Sequence, residues 1–128
     1  MIAVEQPSVA VERGDIIRVV AENPDLSAYG WRFRTGSLWN DGDAFARHRE
    51  QMLSQDFEQQ VRASLAYLGT RRIPTKVGSY GAKHLVERWA GRYVSNGALI
   101  VAAILAGYRV VRDDNSPNCG FSAARNTG

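Results

Sequence analysis

The chain reads as a mainly α (α+β) protein: a helical core, a helix-turn-helix-like pair and a small C-terminal β-hairpin. Three observations predict this class. Apolar residues recur at helical spacing through 43–68 and again from Ser79 to Trp89. The run 98–106 is apolar at every position. Beyond Gly107, two short stretches rich in β-formers flank the polar cluster 113–117. With 128 residues the chain can bury one core but is too short for two ordinary domains. A single domain over 1–128 is expected, with 1–10 and 125–128 as flexible ends.

Taken in order, residues 15–22 (DIIRVVAE) form a short helix or strand, closed by Asn23-Pro24-Asp25 because proline disfavours helical geometry in the residue before it. Residues 29–42 alternate Trp31, Phe33 and Trp39 with Arg32, Arg34 and Thr35, which predicts a strand ending in the turn Asn40-Asp41-Gly42. Asp43 caps a helix carrying Phe45, His48 and Met52, and Asp56 opens a second start carrying Phe57, Val61, Leu65 and Leu68. These are one kinked helix or two. Gly69 and then Pro74 supply the stop, and a basic connector runs to Gly78. Ser79 is the expected N-cap of a helix through Leu85, Val86 and Trp89, with Gly91 as its exit. Trp89 shares the phase of Leu85 and Val86 and is expected in the core. Ser95 or Asn96 caps the last helix, 98–106, which Gly107 ends. Residues 108–112 and 118–123 then read as paired strands.

A helix followed by a glycine-containing turn, a second helix and a hairpin is the order of a winged helix-turn-helix. The second helix, however, offers no donor or acceptor side chain to a base edge beyond Ser95 and Asn96 at its start. A helix apolar all round belongs in the core or a subunit interface, so sequence reading by this helix is not expected.

Charge divides the chain unevenly. Residues 1–58 hold six basic and ten acidic side chains, a balance of −4, whereas 59–128 hold ten basic and three acidic, a balance of +7. Most of the excess is Arg62, Arg71, Arg72, Lys76, Lys83, Arg88 and Arg92, against Glu87 alone between 62 and 92. Such a surface attracts phosphate or an acidic protein; it would equally serve as a solubilising face or complement the acidic half. Arg71, Arg72, Lys76, Lys83, Arg88 and Arg92, with Arg109 and Arg112 on the strands, are the candidate partner-binding residues. Contacts of this kind hold a phosphate backbone and carry little sequence information. Tyr80, Trp89 and Tyr93, interleaved with them, are candidates to stack on unpaired bases.

Catalytic and metal motifs do not emerge. Gly78-Ser79-Tyr80-Gly81 has the wrong spacing for a nucleophile elbow, and no phosphate loop, HExxH or GxGxxG is present. His84 and Glu87 share a helix face three residues apart, but a metal site would need a further ligand from His48, Asp56 or Glu58. Neither an enzyme nor a cofactor or metal site is expected. The lone cysteine, Cys119, permits no internal disulfide and reads as a packing residue. Glu5 stands where a signal peptide carries basic residues, and the longest apolar stretch, 97–108, falls short of the roughly 20 residues of a membrane span. A cytoplasmic protein without a membrane partner is expected.

The run Ser79-Tyr80-Gly81-Ala82-Lys83-His84 with Glu87, followed by Tyr93-Val94-Ser95-Asn96-Gly97-Ala98, resembles a segment of uncharacterised small proteins of bacterial plasmids and prophages. The resemblance covers 79–98 and implies mobile-element biology without assigning a residue role. The function expected is a non-enzymatic accessory module binding nucleic acid through a basic face. The alternative is a protein-interaction module or inhibitor, possible as a homodimer, that meets an acidic partner through aromatic anchors such as Trp31, Trp39 or Tyr93.

Overall fold

A computed structural model describes residues 11–32, 42–113 and 115–122. In chain order it holds α1 (Arg13–Glu22), β1 (Leu26–Ser27), β2 (Gly30–Trp31), α2 (Gly42–Glu50), a 3-10 turn (Gln51–Leu53), α3 (Gln55–Leu68), α4 (Ser79–Ala90), α5 (Asn96–Leu105), β3 (Arg109–Arg112) and β4 (Cys119–Ser122). The mainly α class with a terminal hairpin is what the sequence predicts, and 43–68 resolves into two helices rather than one. Of the strand expected over 29–42, only Gly30–Trp31 is extended and paired, with Leu26–Ser27; 33–41 lie outside the described residues.

Local chemistry sets most boundaries. Glu12 and Asp15 form a reciprocal capping box at the head of α1. The Ser54 hydroxyl accepts the Phe57 N–H at 3.0 Å, so α3 starts one residue before the expected Asp56, which instead lies in its first turn. Gly91 leaves α4 with φ 70°, the left-handed conformation that glycine adopts without penalty. At α5 the cap is Ser95, whose hydroxyl accepts the Ala98 N–H at 3.1 Å. Ser95→Ala is expected to cost about 1 kcal/mol in a urea melt. The expected cap Ser79 is different: Gly78 occupies the N-cap position, and the buried Ser79 hydroxyl accepts the Cys119 N–H at 3.0 Å. That hydroxyl ties the hairpin to α4 instead of capping the helix.

The core is built around α5. Residues Ala98 to Ala103 are all fully buried, packed chiefly against α3 and also against α1 and α4. This is the burial its uniform apolarity requires. α3 contributes Phe57, Val61, Leu65 and Leu68, and α4 contributes Ala82 and Val86. Trp89 corrects the expectation of a core tryptophan: it is 44% exposed, its ring edge-on to Tyr67 at 5.6 Å. At 3.6 residues per turn it sits roughly 60° off the Val86 direction, and the ring falls over the rim of the core. Trp31, offered as a partner anchor, is buried beneath the Arg112 guanidinium, 4.4 Å from its ring centre.

Two clamps lock the N-terminal segment onto this core. Arg49 of α2 donates to the carbonyls of Val20, Asn23 and Leu26, satisfying the C-terminal end of α1 with a cation. The β1–β2 turn lies against the start of α5, where the Gly97 N–H donates to the Ala28 carbonyl at 2.9 Å. No described helix is long and apolar enough to cross a membrane.

Candidate functional site

The junction of α4 and α5 gathers the polar groups. Its centre is Lys83, an ammonium on a residue only 7% exposed. Lys83 Nζ donates to Glu87 Oε2 at 2.8 Å and lies 5.1 Å from the Tyr93 ring centre and 5.7 Å from that of Tyr80. One carboxylate and two π faces therefore receive the buried charge. Glu87 Oε2 also accepts the Val94 N–H at 3.0 Å, and His84 Nδ1 sits 2.9 Å from Oε1. Burial pushes the Glu87 carboxyl upward, but the Lys83 and Val94 hydrogen bonds, the Lys83 charge and His84 outweigh it and hold the group below its ordinary value. The result pins the α4–α5 turn to α4.

This arrangement decides the fate of the eight candidate cations. Lys83 is engaged internally. Arg92 pairs with Asp56 at 3.0 Å, and the Gln60 amide and Arg92 together hold the Asp56 carboxyl below its ordinary value. Arg112 stacks on Trp31, donates to the Arg32 carbonyl and approaches Asp25 at 3.5 Å. The other five, Arg71, Arg72, Lys76, Arg88 and Arg109, are exposed and form no ion pair among the described residues. Arg72 and Lys76 border a shallow cavity with Tyr108, Phe121 and Ser122. Ser122 is the cross-strand partner of Arg109, so the connector and β3 meet at one edge. On the other side, the Arg71 guanidinium covers the Trp89 ring at 5.4 Å and the Tyr67 ring at 5.6 Å.

The eight therefore do not form one face. On α4, Leu85 and Trp89 occupy one flank and Tyr80, His84 and Glu87 the other, with Arg88 on the outward crest between them. Arg71 adjoins the Trp89 flank and Arg72 and Lys76 the hairpin edge, whereas Lys83 opens toward the tyrosine flank.

On that second flank lies a concave region in two parts. One cavity, of about 230 Å³, is lined by Tyr29, Tyr80, Lys83, Tyr93, Asn96 and Asn118 among others. A second, of about 220 Å³, shares Ala28, Tyr29 and Tyr93 with it and adds His48, Asp56, Gln60 and neighbours. Tyr29 and Asn118 carry no functional expectation from the sequence, His48 enters there only as a further metal ligand and Asn96 only as a helix cap or base-edge group, and nothing in the sequence places the four together. They come from the β1–β2 turn, α2, the head of α5 and the β3–β4 loop, and no spacing signal links elements so far apart.

Among the described residues no group of three His, Cys, Asp or Glu side chains lies close enough to hold a metal ion. His84 and Glu87 do meet, but within the Lys83 pair. Cys119 is buried, and that burial pushes its thiol above the ordinary value, opposite to the shift that activates a nucleophile. No protein-family model matches the chain, and neither a curated protein nor a solved structure matches it.

Proposed function

We propose that this protein is a non-enzymatic, cytoplasmic accessory module of a bacterial or mobile-element system that holds nucleic acid mainly by its phosphates. The surface is formed by Arg71, Arg72 and Lys76 on the connector, flanked by Arg88 and Arg109. One observation carries this: these five cations stand exposed with no carboxylate partner among the described residues, while Lys83, Arg92 and Arg112 are each neutralised from within. Unpaired cations on one connector leave a local field that phosphate can complement. The buried α5 presents no side chain to a groove, so binding is expected to be indifferent to duplex sequence.

Affinity should fall steeply with salt, the logarithmic slope dropping by about 1 for each phosphate-contacting cation removed. Arg71→Glu, Arg72→Glu and Lys76→Glu combined should abolish low-salt binding to short DNA, measured by anisotropy. Unchanged binding in that triple variant would refute the proposal. Lys76 has φ 74°, a left-handed conformation that costs a non-glycine residue about 1 kcal/mol. Lys76→Gly should therefore weaken binding while raising stability, separating lost charge from lost fold.

A second reading has its own support. The exposed Trp89 beneath Arg71 combines an aromatic anchor with a cation, the pairing common at protein hot spots. If the partner is an acidic protein, Trp89→Ala should break a purified complex that carries no nucleic acid.

A further inference from the structure

From the tyrosine flank of α4 we infer that the protein takes unpaired nucleobases, and so prefers a single strand to a duplex. This inference rests on the nucleic-acid reading above and assigns a second, uncharged part of the ligand to a different surface. Tyr80 and Tyr93 are 55% and 62% exposed, and Tyr29 is 45% exposed, although all three border one cavity. Tyr80 and Tyr93 each give part of their ring to Lys83, yet about half or more of every one of the three side chains stays open to solvent, which leaves aromatic surface free to receive a ligand.

Charge states what the cavity can hold. Lys83 is neutralised by Glu87, and in the adjoining cavity Asp56 is neutralised by Arg92. The groove thus adds no net positive charge, and a phosphate would find no unpaired cation in it. What it offers is aromatic surface with hydrogen-bonding groups at the edges. Asn118 Oδ1 accepts from Asn96 Nδ2 at 3.0 Å, which orients the Asn118 amide and leaves its N–H groups without a partner among the described residues. A flat, neutral ring with acceptors on its rim fits these features, and a nucleobase is such a ring. Cavities of about 230 and 220 Å³ have room for single rings, and a base can present its faces to the tyrosines only when it is unstacked from a duplex. Because Tyr29 and Tyr93 border both cavities, two consecutive bases can occupy them with those tyrosines at the junction.

The backbone of such a strand has a route to the basic connector. Tyr80, His84 and Arg88 follow one another at i, i+4 and i+8 on α4, and the Tyr80 and His84 rings already touch edge-to-face at 4.6 Å. This ridge leads from the groove to the exposed Arg88 on the crest, beyond which lie Trp89 and Arg71. Bases on one flank and phosphates over the crest is the division of labour found in single-strand binders, where stacking is tolerant of sequence.

The test compares four probes on the full chain by anisotropy competition: a short oligothymidylate, an abasic strand with the same number of phosphates, a duplex of equal length, and thymidine monophosphate. Wild type should bind oligothymidylate roughly tenfold or more tighter than the abasic strand. Tyr80→Leu with Tyr93→Leu should erase that difference while leaving abasic-strand binding and its salt slope unchanged. Both rings are more than half exposed, and a thermal melt confirms that the variant is folded. Equal binding of base-bearing and abasic strands by wild type overturns the inference but leaves the phosphate reading standing. Failure of every strand and the duplex at low salt removes both. Monophosphate binding as tight as the strand overturns the single-strand assignment in favour of a free nucleotide.

Discussion

Gly97→Ala is expected to lower stability by about 3 kcal/mol or more, visible as a large drop in the urea midpoint. A methyl group on Gly97 would strike the Ser27 carbonyl and lie 2.8 Å from the Ala28 Cα. Both obstacles are backbone, and neither can rotate aside as a side chain would. The helix cannot retreat either, because the Gly97 N–H is bonded to the Ala28 carbonyl, and the Asn96 amide donates to the carbonyls of Tyr29 and Pro117. Helix propensity alone would favour alanine by up to about 1 kcal/mol, so the predicted sign is opposite to the local rule. Gly14 in α1 is the control, since a methyl group there meets nothing within 4 Å. Gly14→Ala should stabilise by about 0.5 kcal/mol. If both variants behave alike, the close approach of α5 to the β1–β2 turn is wrong. With it would go the wall of the tyrosine groove that Ala28 and Tyr29 form.

Glu87→Ala is expected to be the next most damaging change, at about 2–3 kcal/mol. It strands the Lys83 ammonium between two tyrosine rings without its counter-ion and leaves the Val94 N–H unsatisfied. The carboxylate retains some contact with water, which places the cost below that of a fully enclosed pair. Lys83→Met combined with Glu87→Leu should recover most of the loss, because removing both charges avoids burying either alone. A double-mutant cycle by urea unfolding measures the coupling. The pH dependence follows from the depressed Glu87 carboxyl. Its contribution is fully present above the unfolded-state value of about 4.3 and is lost as pH falls through the lower folded value. Wild type should therefore lose more stability on acidification than the Lys83→Met, Glu87→Leu variant. Equal acid sensitivity would show that Glu87 is not held in this way.

The candidate site was legible only in part. The sequence reads Lys83 as a partner-binding cation of the basic face, whereas its i+4 spacing to Glu87, itself visible in the sequence, points to the internal bond that the fold forms. Arg92 and Asp56 are joined across 36 positions, and Arg112 meets Trp31 from the far end of the chain. No window of sequence contains such pairs. Trp89 shows the converse error: its spacing matched the core, yet the width of the buried stripe on α4 ends before it.

Local pattern was enough for the helical segments from 43 onward, their order, the terminal hairpin and the burial of 98–103, because caps, glycine exits and apolar periodicity act within a few residues of the chain; 15–22, which reads equally as helix or strand, is a helix in the fold. The unequal distribution of charge was equally plain, since it is a matter of counting. Which cations remain open to a partner, and where three tyrosines converge, depended on packing. Ion pairs and cavities form between elements brought together by burial of α5, and their energies depend on distances in space that residue order does not encode.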